Sequence, residues 1–211
     1  MARVNPRQLV APVLAVCVLS VGCTSGSPAP EPTVPAFSSS ATATSSAAPT
    51  STGPRLPANC GAVLNSQNVD LALGVPLVGR VRSVVGVPEP KISRLERLTC
   101  QYGLPEVPPP AGQPAPPIPL EVSVSVYADE ASATERVGET VQSERANGAA
   151  PTTVAVGAVE GTVLVTADRR LLVASSGVHT VAVSLAPGIV DDRVAAVLAD
   201  LGGRVLTTVT T

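Results

Sequence analysis

Large aromatic side chains are almost absent from this chain of 211 residues, which has only Phe37, Tyr102 and Tyr127 and no tryptophan. Hydrophobic residues still make up 45% of the sequence, and most of them are valine, alanine and leucine. The core must therefore be aliphatic. Ligand sites that depend on aromatic stacking, such as platforms for single-stranded nucleic acid, are largely excluded.

An excess of basic residues is also missing. The chain has 14 Lys and Arg against 16 Asp and Glu, which gives a formal net charge of −2. Proteins that bind nucleic acid neutralise rows of phosphates with clustered basic side chains. Nucleic acid is therefore not expected as a partner.

The N-terminal apolar run is too short to span a membrane. The stretch LVAPVLAVCVL, Leu9 to Leu19, has about eleven residues, whereas a hydrocarbon core of roughly 30 Å takes about twenty. Arg3 and Arg7 precede the run, so residues 1–22 are predicted to be an export signal. The two arginines are separated, which favours the general secretory route over the twin-arginine route.

The segment LSVGC, Leu19 to Cys23, resembles the lipobox of bacterial lipoproteins. Gly22 matches that signal, and Ser20 stands where leucine is preferred. The resemblance implies lipid on the Cys23 thiol, cleavage before Cys23, and a mature protein anchored to the outer face of the cytoplasmic membrane. Three alternatives remain open: cleavage by the ordinary signal peptidase near Gly22, cleavage further downstream, or an uncleaved anchor.

Residues 23–59 are predicted to be a disordered tether. Serine, threonine, proline and alanine dominate this segment, and large apolar residues are almost absent from it. Such a composition cannot bury enough surface to offset the entropy lost on ordering. The segment is interpreted as a spacer between membrane and domain, with O-linked glycosylation as a further hypothesis.

The four cysteines are predicted to have different roles. Removal of the signal discards Cys17, and lipid on Cys23 leaves Cys60 and Cys100 as an even pair in an oxidising compartment. A disulfide between them and two separate buried thiols are both compatible with this count. A zinc site is disfavoured because these cysteines and His179 supply too few ligands, and no metal or cofactor is predicted.

Residues 60–211 are predicted to form one globular α+β domain, with a largely antiparallel sheet and three flanking helices. Helices are expected between Asn65 and Gly74, over 129–147, and from Val190 to a stop at Gly202. Strands are expected at 81–85, 95–102, 120–128, 161–166, 170–175 and 178–185, with a proline-rich loop over 103–119.

The strand LEVSVSVYA has the clearest alternation in the chain. Its valines at positions 122, 124 and 126 share one face of the strand. Glu121, Ser123, Ser125 and Tyr127 share the other face. The sequence therefore predicts a strand with one apolar and one polar side.

The motif CGAVLNSQNVDLALGVPL, which begins at Cys60, and the later CQY at 100–102 resemble small exported actinobacterial lipoproteins whose globular domain has no assigned function. In that family a short helix ending in Leu-Gly follows the first cysteine. The resemblance implies a disulfide between Cys60 and Cys100 and places Tyr102 at the family's aromatic position. It supplies no activity that could be carried over.

No arrangement typical of an active site is found in the sequence. A Gly-x-Ser-x-Gly motif is absent, and His179 falls in a predicted strand, where a surface or hydrogen-bonded role is expected. The acidic pairs Asp129–Glu130 and Asp191–Asp192 fall at predicted helix N-termini, where negative charge is stabilised by the helix dipole, so both pairs are predicted to cap helices. No catalytic residue is predicted.

The sequence therefore predicts a lipid-anchored binding or accessory module of the cell envelope rather than an enzyme. Its expected partners are the membrane, through the anchor, and an envelope protein or a lipid. An alternative is a carrier that encloses a hydrophobic ligand such as a lipid or glycolipid. A cell-wall enzyme that uses the carboxylates is a third hypothesis.

Overall fold

The computed structural model describes residues 55–211. The predicted signal peptide, Cys17, Cys23 and the tether as far as residue 54 lie outside the described residues. The helices are α1 (Cys60–Val63), α2 (Ser66–Leu73), α3 (Glu130–Ala146) and α4 (Val194–Thr210), and the strands are β1 (Arg80–Gly86), β2 (Arg94–Leu104), β3 (Leu120–Tyr127), β4 (Ala150–Val156), β5 (Val159–Val165), β6 (Arg170–Ser176) and β7 (His179–Leu185). Within residues 55–211, no helix is long and apolar enough to cross a membrane.

The seven strands form one sheet in the order β1-β2-β3-β7-β6-β5-β4. Every neighbouring pair is antiparallel, which confirms the predicted α+β class. The predicted boundaries of α2 are confirmed, because the side chain of Asn65 caps its N-terminus and Gly74 ends it with a left-handed backbone. The predicted start of α3 is confirmed as well, because Asp129 caps its N-terminus. The single turn α1 is an addition to the three predicted helices.

One face of the sheet carries the main core. α4 packs along β7 and β6, and α1 and α2 lie beside it. The residues that fill this layer are aliphatic and nearly free of solvent exposure; among them are Val122, Val124, Leu172, Val183, Leu185, Leu198, Leu201 and Val205. We call this side the α4 face.

The prediction that Gly202 stops the last helix is wrong, because α4 runs on to Thr210. Gly202 is instead a packing residue: a Cβ at this position would lie 2.6 Å from Cδ2 of Leu172. A Cβ at Gly203 would likewise lie 3.2 Å from the backbone nitrogen of Gly157. The two glycines let the helix approach the sheet closely. Val190, predicted inside the helix, precedes it.

Strand β4 was not predicted from the sequence. It is the edge strand beside β5, and most of its residues are exposed. Pro151 lies within it, and proline is tolerated at a sheet edge because the missing N–H need not pair. Without a buried stripe, the segment has no alternation that would reveal a strand.

α3 lies on the opposite side of the sheet, which we call the α3 face. It packs chiefly against β6 and β7. Val137 and Val141 of the helix cover a small second core, whose buried members are Ala149, Leu164, Leu171 and Val173.

Candidate functional site

On the α3 face the side chains change from apolar to polar from one strand to the next. One row of paired residues begins at Leu171 of β6, continues through Ser184 of β7 and Glu121 of β3, and reaches Gln101 of β2 and Arg82 of β1. Leu171 lies in the second core beneath α3, whereas the charged end of the row lies beyond it. The sheet therefore has a polar surface where α3 does not cover it.

The charged end of this row is joined by hydrogen bonds across three strands. Nε of Arg82 donates to Oε1 of Gln101 at 2.9 Å, and Nε2 of Gln101 donates to Oε2 of Glu121 at 2.8 Å. The glutamine amide thus uses its acceptor on one side and its donor on the other. These contacts fix the orientation of Glu121 on β3.

A second row lies next to the first and is built from hydroxyl groups. The oxygens of Thr99 and Ser123 lie 2.8 Å apart and share a hydrogen bond. Nη2 of Arg97 donates to the Ser123 hydroxyl oxygen at 3.3 Å. Both hydroxyl residues are buried, so this part of the face has hydrogen-bonding groups in place before any ligand arrives.

Between this polar surface and α3 lies a cleft of about 250 Å³. Its polar lining comes from β2, β3, β7, α3 and the turn between β5 and β6, and comprises Arg94, Arg97, Glu121, Ser123, Ser125, Tyr127, Arg136, Thr140, Glu144, Arg169, Thr180 and Ser184. A second cleft of about 400 Å³ extends towards β1 and shares Arg94, Arg97 and Glu121 with the first. The two clefts form one candidate site.

Four arginines line the smaller cleft, and they differ in whether an acidic side chain pairs with them. Arg136 pairs with Glu139 at 3.1 Å, and Arg169 pairs with Glu144. Arg94 pairs with Glu89 at 2.6 Å through Nη2.

Arg94 and Arg97 of β2 still have N–H groups without an acceptor among the described residues. The side chain of Arg94 is only 12% exposed, and its buried Nε has no hydrogen-bond partner among the described residues. Arg97 makes no ion pair within residues 55–211, and its single side-chain hydrogen bond goes to Ser123. Arg97 is therefore the one arginine of the cleft without an acidic partner among the described residues, whereas Arg94 pairs with Glu89 and has a buried Nε without an acceptor.

The predicted cysteine pair lies away from this cleft. Cys60 and Cys100 are joined by a disulfide, with their Cα atoms 5.4 Å apart. Both residues belong to the main core on the α4 face. The bond ties α1 to β2 and has a structural role there.

His179 also lies on the α4 face, because Val181 and Val183, which share its side of β7, belong to the main core. It is 6% exposed, and its Nε2 has no partner among the described residues. The expectation of a surface or hydrogen-bonded histidine is therefore wrong. Burial lowers the pKa of His179, which favours a neutral ring.

The two acidic pairs behave differently. The Asp129 carboxylate accepts from the Ser132 N–H at 2.7 Å, and this hydrogen bond lowers the pKa of Asp129, as an N-cap role requires. The capping prediction for Asp191–Asp192 is wrong, because α4 has Arg193 at its N-cap position and no side-chain cap. Asp191 instead accepts from the Gly188 N–H and pairs with Arg170.

The sequence revealed only part of the cleft. The polar alternation of β3 identified Glu121, Ser123, Ser125 and Tyr127 as one face, and all four line the cleft. Arg94 and Arg97 were missed because a register across β2 and β3 is needed to place them there. Within residues 55–211, no group of three or more His, Cys, Asp or Glu side chains has an arrangement that could hold a metal ion.

No protein-family model and no curated protein sequence matches the chain. Among solved structures, the extracellular domain of PknH from Mycobacterium tuberculosis is similar with a TM-score of 0.43 and 11% sequence identity, over 74% of this chain and 98% of that chain. A similarity of this size identifies neither a family nor a function. The resemblance to small actinobacterial lipoproteins stays a prediction.

Proposed function

We propose that this protein is a binding module of the cell envelope and that its ligand occupies the cleft between α3 and the sheet. The observation that carries the proposal is the uncovered polar surface of β2 and β3. A sheet face with no binding role can remain polar and flat, but here α3 adds a wall and arginines converge from three elements. Concave sites with a few fixed polar groups are the usual form of ligand sites.

A binding role is favoured over catalysis. Nucleophilic catalysis by the serines of the cleft needs a base within hydrogen-bond reach. The sole histidine of the chain, His179, lies on the opposite face of the sheet, and the two cleft glutamates contact Gln101 and Arg169 rather than a serine. Cys60 and Cys100 are bonded to each other and cannot act as nucleophiles. The polar groups of the cleft suit recognition.

The hydrophobic-carrier alternative gains no support from the described residues. It requires an apolar cavity between helices and sheet, whereas Val183, Leu198 and Leu201 meet there with essentially no exposed surface. The lining of the α3 cleft is largely polar and charged. A lipid chain would therefore lie against unsuitable groups there.

The module is proposed to be held at the outer face of the cytoplasmic membrane by lipid on Cys23. The apolar segment before Cys23 and the small residues that precede it support this placement. Intact mass and membrane fractionation of wild type and Cys23→Ala test it. We expect a lipid mass increment and membrane recovery only with Cys23, and two soluble proteins with no such increment contradict the anchor.

Photo-crosslinking from the cleft tests the binding role. A benzophenone amino acid replaces Thr140 of α3, which lines the cleft, in the full chain produced in its native envelope. The control places it at Thr134, an exposed position of the same helix outside the cleft lining. We expect adducts from position 140 and not from 134, and equal yields at the two positions contradict a cleft ligand.

A further inference from the structure

We propose that the cleft ligand carries an oxoanion, a carboxylate or a phosphoryl group, which binds between Arg97 and Arg94 on β2. This inference rests on the proposed binding function and names the chemistry of its ligand. The chain as a whole carries a net charge of −2, yet four of its 14 basic residues line one cleft that contains two glutamates.

The cations of the cleft are not equally available to a ligand. Glu139 and Glu144 already compensate the two arginines that come from α3 and the β5–β6 turn, and Glu89 pairs with Arg94. Arg97 has no carboxylate partner within the described residues. A guanidinium group offers five N–H donors in a planar fork, and the single 3.3 Å bond to Ser123 leaves most of those of Arg97 for a ligand.

Neighbouring residues of β1 and β3 hold the Arg97 side chain in position. Gly86 of β1 lies opposite it, and a Cβ at Gly86 would lie 3.0 Å from Cβ of Arg97 and 3.5 Å from its Cγ and Cδ. The bare backbone of Gly86 thus leaves room for the arginine stem beside it. On the other side the Ser123 hydroxyl orients the guanidinium, so the fork is held over the region where the two clefts join.

Arg94 supplies a second donor at the same junction. It lines both clefts, and its buried Nε lacks a partner among residues 55–211. Nη2 of Arg94 is already paired with Glu89, and its Nε has essentially no accessible surface. A buried donor without an acceptor is costly, and a shift of the Arg94 side chain would let an oxoanion oxygen satisfy it.

Glu121 lines the same junction, where its carboxylate accepts from Gln101. The two arginines and the hydroxyls of Thr99 and Ser123 therefore form the side of the junction that suits a planar or tetrahedral oxoanion.

Titrations of the purified full-length protein with inorganic phosphate and with acetate, followed through backbone amide NMR shifts, test this inference. Sodium chloride at matched ionic strength is the control for screening. We expect saturable shifts at β2 and β3 with at least one of the two anions. Tighter binding of phosphate assigns a phosphoryl ligand, and tighter binding of acetate assigns a carboxylate.

Two variants that each remove one positive charge distinguish anion binding at the cleft from a general effect of net charge. Arg97→Gln is expected to weaken anion binding roughly tenfold or more, because it removes a charged hydrogen-bond donor. Arg145→Gln removes the same charge from an exposed position of α3 outside the cleft lining and is expected to bind within about twofold of wild type. Equal weakening in both variants, or no saturable shift with either anion, overturns the inference.

The outcomes also distinguish this inference from the proposed function. Cleft-specific adducts from position 140 without saturable anion binding leave the binding module standing and remove the oxoanion. Saturable anion binding without cleft-specific adducts in the envelope counts against the module as proposed.

Discussion

The two faces of the sheet differ in how completely helices cover them. On the α4 face, three helices close over aliphatic side chains, and the layer is filled. On the α3 face, one helix packs chiefly against β6 and β7, and the surface of β2 and β3 beyond it is polar. Successive side chains of a strand point to opposite faces of the sheet. Strands such as β3 and β7 therefore contribute one set of residues to the core and the other set to the proposed site.

The largest expected effect is loss of the disulfide that ties α1 to β2 on the α4 face. The bond closes a loop with a sequence separation of 40 residues, and the chain-entropy model assigns such a loop about 4 kcal/mol. Cys60→Ala with Cys100→Ala should therefore lower the free energy of unfolding by about that amount in a denaturant titration. Wild-type protein in reductant should match the double variant, and unchanged stability in both would show that the crosslink contributes nothing.

Substitutions at two neighbouring residues of β7 measure how much each face of the sheet contributes to stability. Leu185 has no exposed surface on the α4 face, so Leu185→Ala should cost about 3 kcal/mol through lost burial and the cavity left behind. Ser184 lines the cleft, so Ser184→Ala should change stability by less than about 0.5 kcal/mol. Urea denaturation of both variants measures the contrast. Similar costs at the two positions would mean that the α3 face is as tightly packed as the α4 face.

The two tyrosines of the chain offer a second matched pair, because each lies on a different face. The Tyr102 hydroxyl donates to the Leu64 carbonyl at 2.8 Å on the α4 face, and burial raises the pKa of Tyr102, which keeps that proton in place. Tyr102→Phe leaves the carbonyl without this donor and should cost about 1–2 kcal/mol.

Tyr127 is the control, since it is buried on the α3 face and its hydroxyl bonds to no described residue. Tyr127→Phe should stay within about 0.5 kcal/mol of wild type in thermal or chemical unfolding. Equal losses for the two tyrosine variants would contradict the specific role of the Tyr102 bond.

The elements with a strong local signal were predictable. The caps at Asn65 and Gly74 bounded α2, Asp129 marked the start of α3, and alternation identified β3 together with its polar side. In each case the deciding interaction lies within a few residues along the chain.

The elements that depend on distant contacts were not predictable. The length of α4 depends on Gly202 facing Leu172, some thirty residues away, because only the packed sheet explains a glycine inside that helix. The cleft needs the registers between β1, β2, β3 and β7 and the position of α3. Arg97 looks like any surface arginine until Gly86 and Ser123 are placed beside it.

The smallest expected effect is a pH dependence of the unfolding free energy that comes from His179 on the α4 face. Burial lowers the pKa of His179 below the ordinary value of a histidine, so the folded state binds its proton less readily than the unfolded chain. This contribution to stability is complete above the unfolded pKa. It is lost as the pH falls through that value towards the folded pKa.

The chain has one histidine, so no other side chain of ordinary pKa changes charge in this window. Unfolding free energies of wild type and His179→Gln, measured from about pH 5 to 7.5, should differ in slope: wild type loses stability towards acid, and the variant has a flatter profile. Parallel profiles would mean that the ring titrates equally in both states. In that case the imidazole has access to solvent, and the α4 face is open at the start of β7.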